Sequence, residues 1–269
     1  MNNFFVVKIS TGISISFAWL PTYIIGWYFG PIIGFCMGFI IDTINYLIGG
    51  GVWFWLYAIQ EPLLGLIVGI IASTYLYLKT ETKQIKWTLF FNQIIVLLFI
   101  VASVFIVFYY SDSNNSFFQD LMNSTSYTTF EIIKKTNQIL RWIILSLLII
   151  YFLVIESIIF AKLKKYKNSN DKHIDHIQTF LLISATCMIT SVIFSFLLGP
   201  ISAIEYYKWV HNGINPPSLV RFGVVFYLVP RVIKECFKTP IYSIILAAII
   251  FPTNMVINNI KYKLQNSYN

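Results

Sequence analysis

Residues 22–48 read TYIIGWYFGPIIGFCMGFIIDTINYLI, and Asp42 is the single charged residue in them. A straight helix of these 27 residues would reach about 40 Å, more than the roughly 30 Å hydrocarbon core of a bilayer. Gly30-Pro31 interrupts the run, so it is predicted as two short helices, 22–30 and 31–48. Gly30, Gly34 and Gly38 recur every four residues, and Gly65 and Gly69 repeat that spacing. A helix face without side chains lets a neighbouring helix approach closely, so packing explains the glycines. Asp42 is different: a carboxylate in a span is expensive unless it meets a cavity or a partner, which makes it a functional candidate; the alternative is a hydrated or capping helix end.

The rest of the chain has the same character. Hydrophobic residues make up 57% and charged residues 11%, with a mean hydropathy of +0.72, whereas soluble domains carry about 25% charged residues. Apolar runs occur at 4–20, 22–48, 53–78, 87–110, 138–161, 178–199 and 224–257; with the second divided, eight membrane helices are expected. The first run is read as a span rather than a cleaved leader, because Lys8 interrupts it and another apolar segment follows Pro21 directly. The net charge of +8 comes from basic residues in short loops, a pattern of topology rather than of nucleic-acid binding. Lys79, Lys83 and Lys86, then Lys162, Lys164, Lys165, Lys167 and Lys172, then Lys261 and Lys263 all fall on one side of an eight-helix topology. The positive-inside rule makes that side, and both termini, cytoplasmic. Cys36, Cys187 and Cys236 are isolated in apolar stretches and offer neither a disulfide framework nor a metal site. His173 and His176 lack a third ligand and read as solvated, so no metal is expected.

No enzyme apparatus is legible: there is no Gly-x-Ser-x-Gly elbow, no His-Glu-x-x-His and no phosphate-cradling loop. The chain is read as a non-enzyme that needs no cofactor of its own. Residues 221–240, RFGVVFYLVPRVIKECFKTP, hold a descending ladder of cations. Arg231 and Lys234 share a helix face, and Lys238 lies about 10 Å further along the axis than Arg231. Snorkelling explains one such residue; three at increasing depth point to a wet cavity for an anion, with Glu235 partly neutralising Lys238. Trp19, Tyr23, Trp53, Trp55 and Tyr57 fall near the outer helix ends, where an interfacial belt also places aromatics. Trp53 and Trp55 follow Gly49-Gly50-Gly51, a flexible turn able to fold over a flat ligand.

Phe29-Gly30-Pro31-x-x-Gly34-x-x-x-Gly38-x-x-x-Asp42, then Gly65-x-x-x-Gly69, then Pro230-Arg231-x-x-Lys234 with Pro240-Ile241, resembles the substrate-binding S components of energy-coupling factor (ECF) vitamin transporters, the folate group above all. The resemblance covers 4–78 and 178–257. It implies an all-α integral membrane protein with a six-helix core, made of helices 1–4 in 1–78 and helices 5–6 with the cytoplasmic tail in 178–269; the extra stretch 79–177 departs from the family and is read as an inserted helical hairpin with an external loop. It implies a coupling membrane protein and two ATP-binding-cassette ATPases as partners, which consume the ATP. Ser10, Ser14 and Ala18 fit the helix 1 spacing that meets the coupling protein in that family, ordinary packing being the alternative. The expected ligand is folate or a related pterin, its carboxylates met by Arg231, Lys234 and Arg221, its ring stacked on Trp53 or Trp55, with Asp42 and Trp19 also in the candidate site. Glu61 is expected to accept from the amino edge of the ring; the alternative is a helix-start carboxylate in Gln60-Glu61-Pro62.

Beside this reading stand a membrane enzyme or assembly factor without a small ligand, and two transport rivals. One is an S component for another small molecule. The other is a self-sufficient ion-coupled carrier using Asp42 and Glu156, against which the halves show no convincing repeat.

Overall fold

The computed structural model describes residues 6–10, 13–49, 53–78, 82–110, 139, 141–157 and 173–267. Its membrane body is all-α, as the apolar runs require. Residues 6–16 depart from expectation. Val6, Val7, Ile9, Ile13 and Ile15 are β-branched, and Ile13-Ser14-Ile15-Ser16 alternates with a strand's period. They form an antiparallel pair, β1 (Val6–Ser10) and β2 (Ile13–Ser16), with Val6 opposite Ser16 and a bulge between Lys8 and Ser10. The helix expected over 4–20 is therefore corrected to a hairpin. Ser10 and Ser14 lie on different strands and Ala18 in the turn before α1, so the four-residue helical stripe expected for partner contact does not form.

Helix α1 (Leu20–Gly49) breaks at Gly30, whose φ of 82° and ψ of −176° are not helical. A β-carbon on Gly34 would lie 3.0 Å from the Cα of Gly26; a straight helix would hold these positions about 12 Å apart. The chain therefore doubles back at Gly30, and 22–30 and 31–48 are separate arms, as predicted. After α2 (Trp55–Ala58), helix α3 (Gln60–Leu78) lies against both arms. A β-carbon on either Gly26 or Gly34 would stand 2.6 Å from the Gly65 carbonyl oxygen, and one on Gly69 would meet Gly30 and Pro31 at 2.4–2.5 Å. The glycine spacing is thus backbone-to-backbone packing, which holds helices together where lipid removes the hydrophobic drive.

Helix α4 (Thr82–Tyr110) and helix α5 (141–157) follow. Helix α6 (His173–Thr190) passes through π-helical turns at Ser191–Leu198 into α7 (Gly199–Val210). A short α8 (Pro217–Phe222) precedes α9 (Val225–Ser267), which contains Pro230, Pro240 and Pro252. Among the described residues, five stretches are long and apolar enough to cross a bilayer: Leu20–Ile48, Trp55–Tyr75, Phe90–Tyr109, Thr179–Val210 and Val225–Ile257. Two apolar cores result. Val96, Phe99, Ile144, Leu148, Leu181, Met188 and Val232 knit α4 and α5 to α6 and α9. Tyr23, Leu64, Val68, Ile183, Phe194, Tyr242 and Leu246 join α1 and α3 to α6, the π turns and α9.

Candidate functional site

The aromatic end of the bundle is built where α2 and α3 begin and α7 ends. Phe54 is buried, and its ring lies 5.9 Å from Tyr57, 5.5 Å from Tyr206 and 5.8 Å from Trp209. Beside this cluster opens a concavity of about 490 Å³, lined by Phe54, Trp55, Glu205, Lys208, Trp209 and Asn212 among others. Trp55 and Trp209 are 57% and 55% exposed, so two indole faces are open for contact. On the wall, Lys208 donates to Glu205 at 2.8 Å. Asn212 and Gly213 turn the chain there with φ of 52° and 86°.

Beneath this end, the Arg231 guanidinium packs on Gly199, where a β-carbon would stand 2.5 Å from Nη1. The Tyr57 hydroxyl is close enough to interact with it. Lys234, half-buried, lies within electrostatic reach of Arg231, Glu235 and Lys238. Lys238 and Glu235, 7% and 2% exposed, form an ion pair at 3.2 Å. Glu235 also accepts from Ser191 at 2.7 Å and Ser195 at 2.6 Å, both in the π-helical turns. The Lys238 ammonium lies 4.0 Å from the ring centre of Trp19 and 5.0 Å from that of Tyr242. The pair is tolerable in a span because the carboxylate and two ring faces replace water around Lys238, and the two serine hydroxyls with the ammonium replace it around Glu235.

A third group sits between α1 and α3. Glu61 is 6% exposed; its Oε1 accepts from Asn45 Nδ2 at 3.2 Å, and its Oε2 has no hydrogen-bond partner among the described residues. Asp42, half-buried, is near enough to act on Glu61 electrostatically. On the opposite side of the helix start, Gln60 Nε2 donates to Ser202 at 3.0 Å and ties α3 to α7.

The expected site residues thus fall into separate neighbourhoods. Trp55 lines the concavity; Trp53 is exposed beside it in sequence. Arg231 and Lys234 do not line that concavity but lie along α9 beneath the aromatic end. Asp42 and Glu61 come together, whereas Trp19 is drawn to Lys238 instead of an interfacial belt. The side chains of Arg221, Ser10, Ser14, His173 and His176 lie outside the described residues. Trp209, Phe54, Glu235, Ser191 and Ser195 were not singled out from sequence as site residues. The signal for the serines was their four-residue spacing in an apolar run facing the Glu235-x-x-Lys238 pair.

Residues 3–154 match the family described as the ECF transporter, substrate-specific component. The chain belongs to this family. Its members are transporter subunits, not enzymes, and work with an ECF module of coupling protein and ATPases. This S component is 33% identical over 263 residues to the uncharacterized protein MG313 of Mycoplasma genitalium, covering 96% of this chain and 85% of the relative. It is 27% identical over 240 residues to the MG313 homolog of Mycoplasma pneumoniae, covering 89% and 80%. No solved structure matches the chain. The S component is a multi-pass membrane protein whose role is to provide the substrate specificity of an ECF transporter.

Proposed function

We propose that this S component captures folate or a related pterin from outside the cell and hands it to the ECF module for ATP-driven uptake. The observation that carries the reading is the concavity walled by Trp55, Trp209 and Phe54, with the Tyr57–Arg231 contact behind it. A flat heterocycle stacks on the indoles, while Arg231, Lys234 and Arg221 serve the carboxylates of the glutamate tail. Trp53 closes over the ring, Glu61 and Asp42 meet its amino edge, and Trp19 holds Lys238 in place below. Helix ends support an orientation with the aromatic end outside and the C-terminus cytoplasmic; the cytoplasmic N-terminus expected from eight spans no longer follows, because 6–16 is a hairpin and α1 doubles back at Gly30. Leu78 of α3, Thr82 of α4, His173 of α6 and the last turns of α9 adjoin the lysine-rich segments in sequence. We also take 1–78 and 178–269 as the core and 79–177 as a hairpin added to it, its helices packed on α6 and α9.

The test is a folate titration of the purified full chain in lipid nanodiscs, followed by tryptophan fluorescence. Saturable quenching is expected, weakened by Trp55→Ala and by Arg231→Ala. An unchanged signal across folate and pterin probes would remove the ligand assignment and leave the family role standing.

A further inference from the structure

We infer that Glu61, Asp42 and Asn45 form a slot for a planar nitrogen cation, an amidinium- or guanidinium-type edge carried by the captured molecule. The inference rests on the capture reading and replaces the neutral amino edge of a pterin at Glu61 with a charged one. The Glu61 carboxyl is 6% exposed inside a span, one oxygen is held by Asn45, and the other has no donor among the described residues. A buried carboxyl oxygen without a donor is unfavourable, and a second carboxyl, that of Asp42, lies within electrostatic reach of it. The arrangement is completed by a group that brings both hydrogen-bond donors and positive charge.

Shape narrows the choice. The floor of the slot is the contact of Gly38 with α3, where a β-carbon would stand 2.6 Å from the Glu61 carbonyl oxygen and 2.7 Å from the Pro62 Cα. The helix backbones touch there, so the Glu61 side chain sits directly beside a backbone-to-backbone contact. A hard metal cation wants about six oxygens; here the amide nitrogen of Asn45, a donor, faces the Glu61 carboxyl where a metal would need an acceptor. Two parallel N–H groups on a flat cation match a carboxylate in one plane, the geometry that favours guanidinium groups for such pairing.

The probe is benzamidine, with benzamide as its neutral isostere, added to the full chain in nanodiscs. Benzamidine is expected to raise the unfolding midpoint with concentration, benzamide to leave it unmoved, and Glu61→Gln to weaken the benzamidine response about tenfold or more. A second readout needs no variant: a hydrophobic carbodiimide adds to carboxyl groups, and benzamidine should slow its labelling of Glu61 while benzamide does not. Equal effects of the two probes, or equal protection by sodium chloride and choline chloride with none by benzamidine, would overturn the inference. If Glu61→Gln left folate binding intact and benzamidine had no effect, the slot would fall while capture stood. If benzamidine bound through Glu61 and no pterin bound, the slot would stand and the folate assignment would fall.

Discussion

Removing Glu235 should unsettle the whole bundle, although it lies far from any surface. Lys238 and Glu235 are 7% and 2% exposed and 3.2 Å apart. Deleting one partner of a buried pair leaves the other charge uncompensated, at a cost of about 3–5 kcal/mol. The rings of Trp19 and Tyr242, 4.0 and 5.0 Å from the ammonium, retain about 2 kcal/mol of attraction but already act in the native protein, so they do not offset the loss. Ser191 also bonds Thr239 at 3.2 Å, so its hydroxyl keeps a partner when the carboxylate goes. For a chain of this size, Glu235→Ala should therefore lower the thermal midpoint by roughly 6–20 °C. Removing both charges with Glu235→Ala and Lys238→Met should recover most of it, giving a coupling of about 3 kcal/mol or more in a double-mutant cycle that includes Lys238→Met alone. The assay is thermal unfolding of the nanodisc-embedded protein. A single variant within about 0.5 kcal/mol of the parent, or a double variant no better than the single, would refute the claim that the pair is mutually neutralising.

Other expectations concern packing, ligand and transport. Gly65→Ala places a β-carbon 2.2 Å from the Gly34 carbonyl oxygen and should cost about 2 kcal/mol or more in the same unfolding assay, since backbone cannot step aside. Trp209→Ala should weaken folate quenching about tenfold while leaving the midpoint unchanged, because the side chain is 55% exposed. Lys208→Ala breaks the exposed pair with Glu205 and should change stability by less than about 1 kcal/mol; a loss comparable to that of Glu235→Ala would contradict the role given to burial. Vesicles holding the S component alone should show no folate uptake under a proton or sodium gradient, and uptake should appear when the ECF module and ATP are supplied.

Much of the fold was legible because it depends on local residues. Gly30-Pro31 announced the break in α1, and the four-residue glycine spacing announced its contact with α3. Residues 6–16 were misread because hydrophobicity alone made them a span, while the alternation of Ile13, Ser14, Ile15 and Ser16 carried the strand signal. The ion pair within α9 could be anticipated from its three-residue spacing, but not its serine partners, which stand 40 and 44 positions away. Trp209 was invisible for a similar reason: only the approach of α7 to the start of α2 gives it Trp55 and Phe54 as neighbours. The cations of α9 were correctly seen to share a helix, yet the concavity formed elsewhere, along a wall assembled from distant segments.

The broken first helix has one further consequence. Gly69, nine positions into α3, lies about 14 Å from that helix's first residue, so the apex pressed against it sits near the middle of the hydrocarbon layer. Water is absent at that depth, and every orphaned peptide group would be a standing penalty. Pro31 carries no N–H to orphan, and α3, flush against the bend at Gly69, shields the adjoining peptide from lipid tails. Phe29 and Ile32, 62% and 78% exposed, face those tails instead. An interruption that would fail on an isolated helix is thus sealed by a missing hydrogen on one side and a missing side chain on the other.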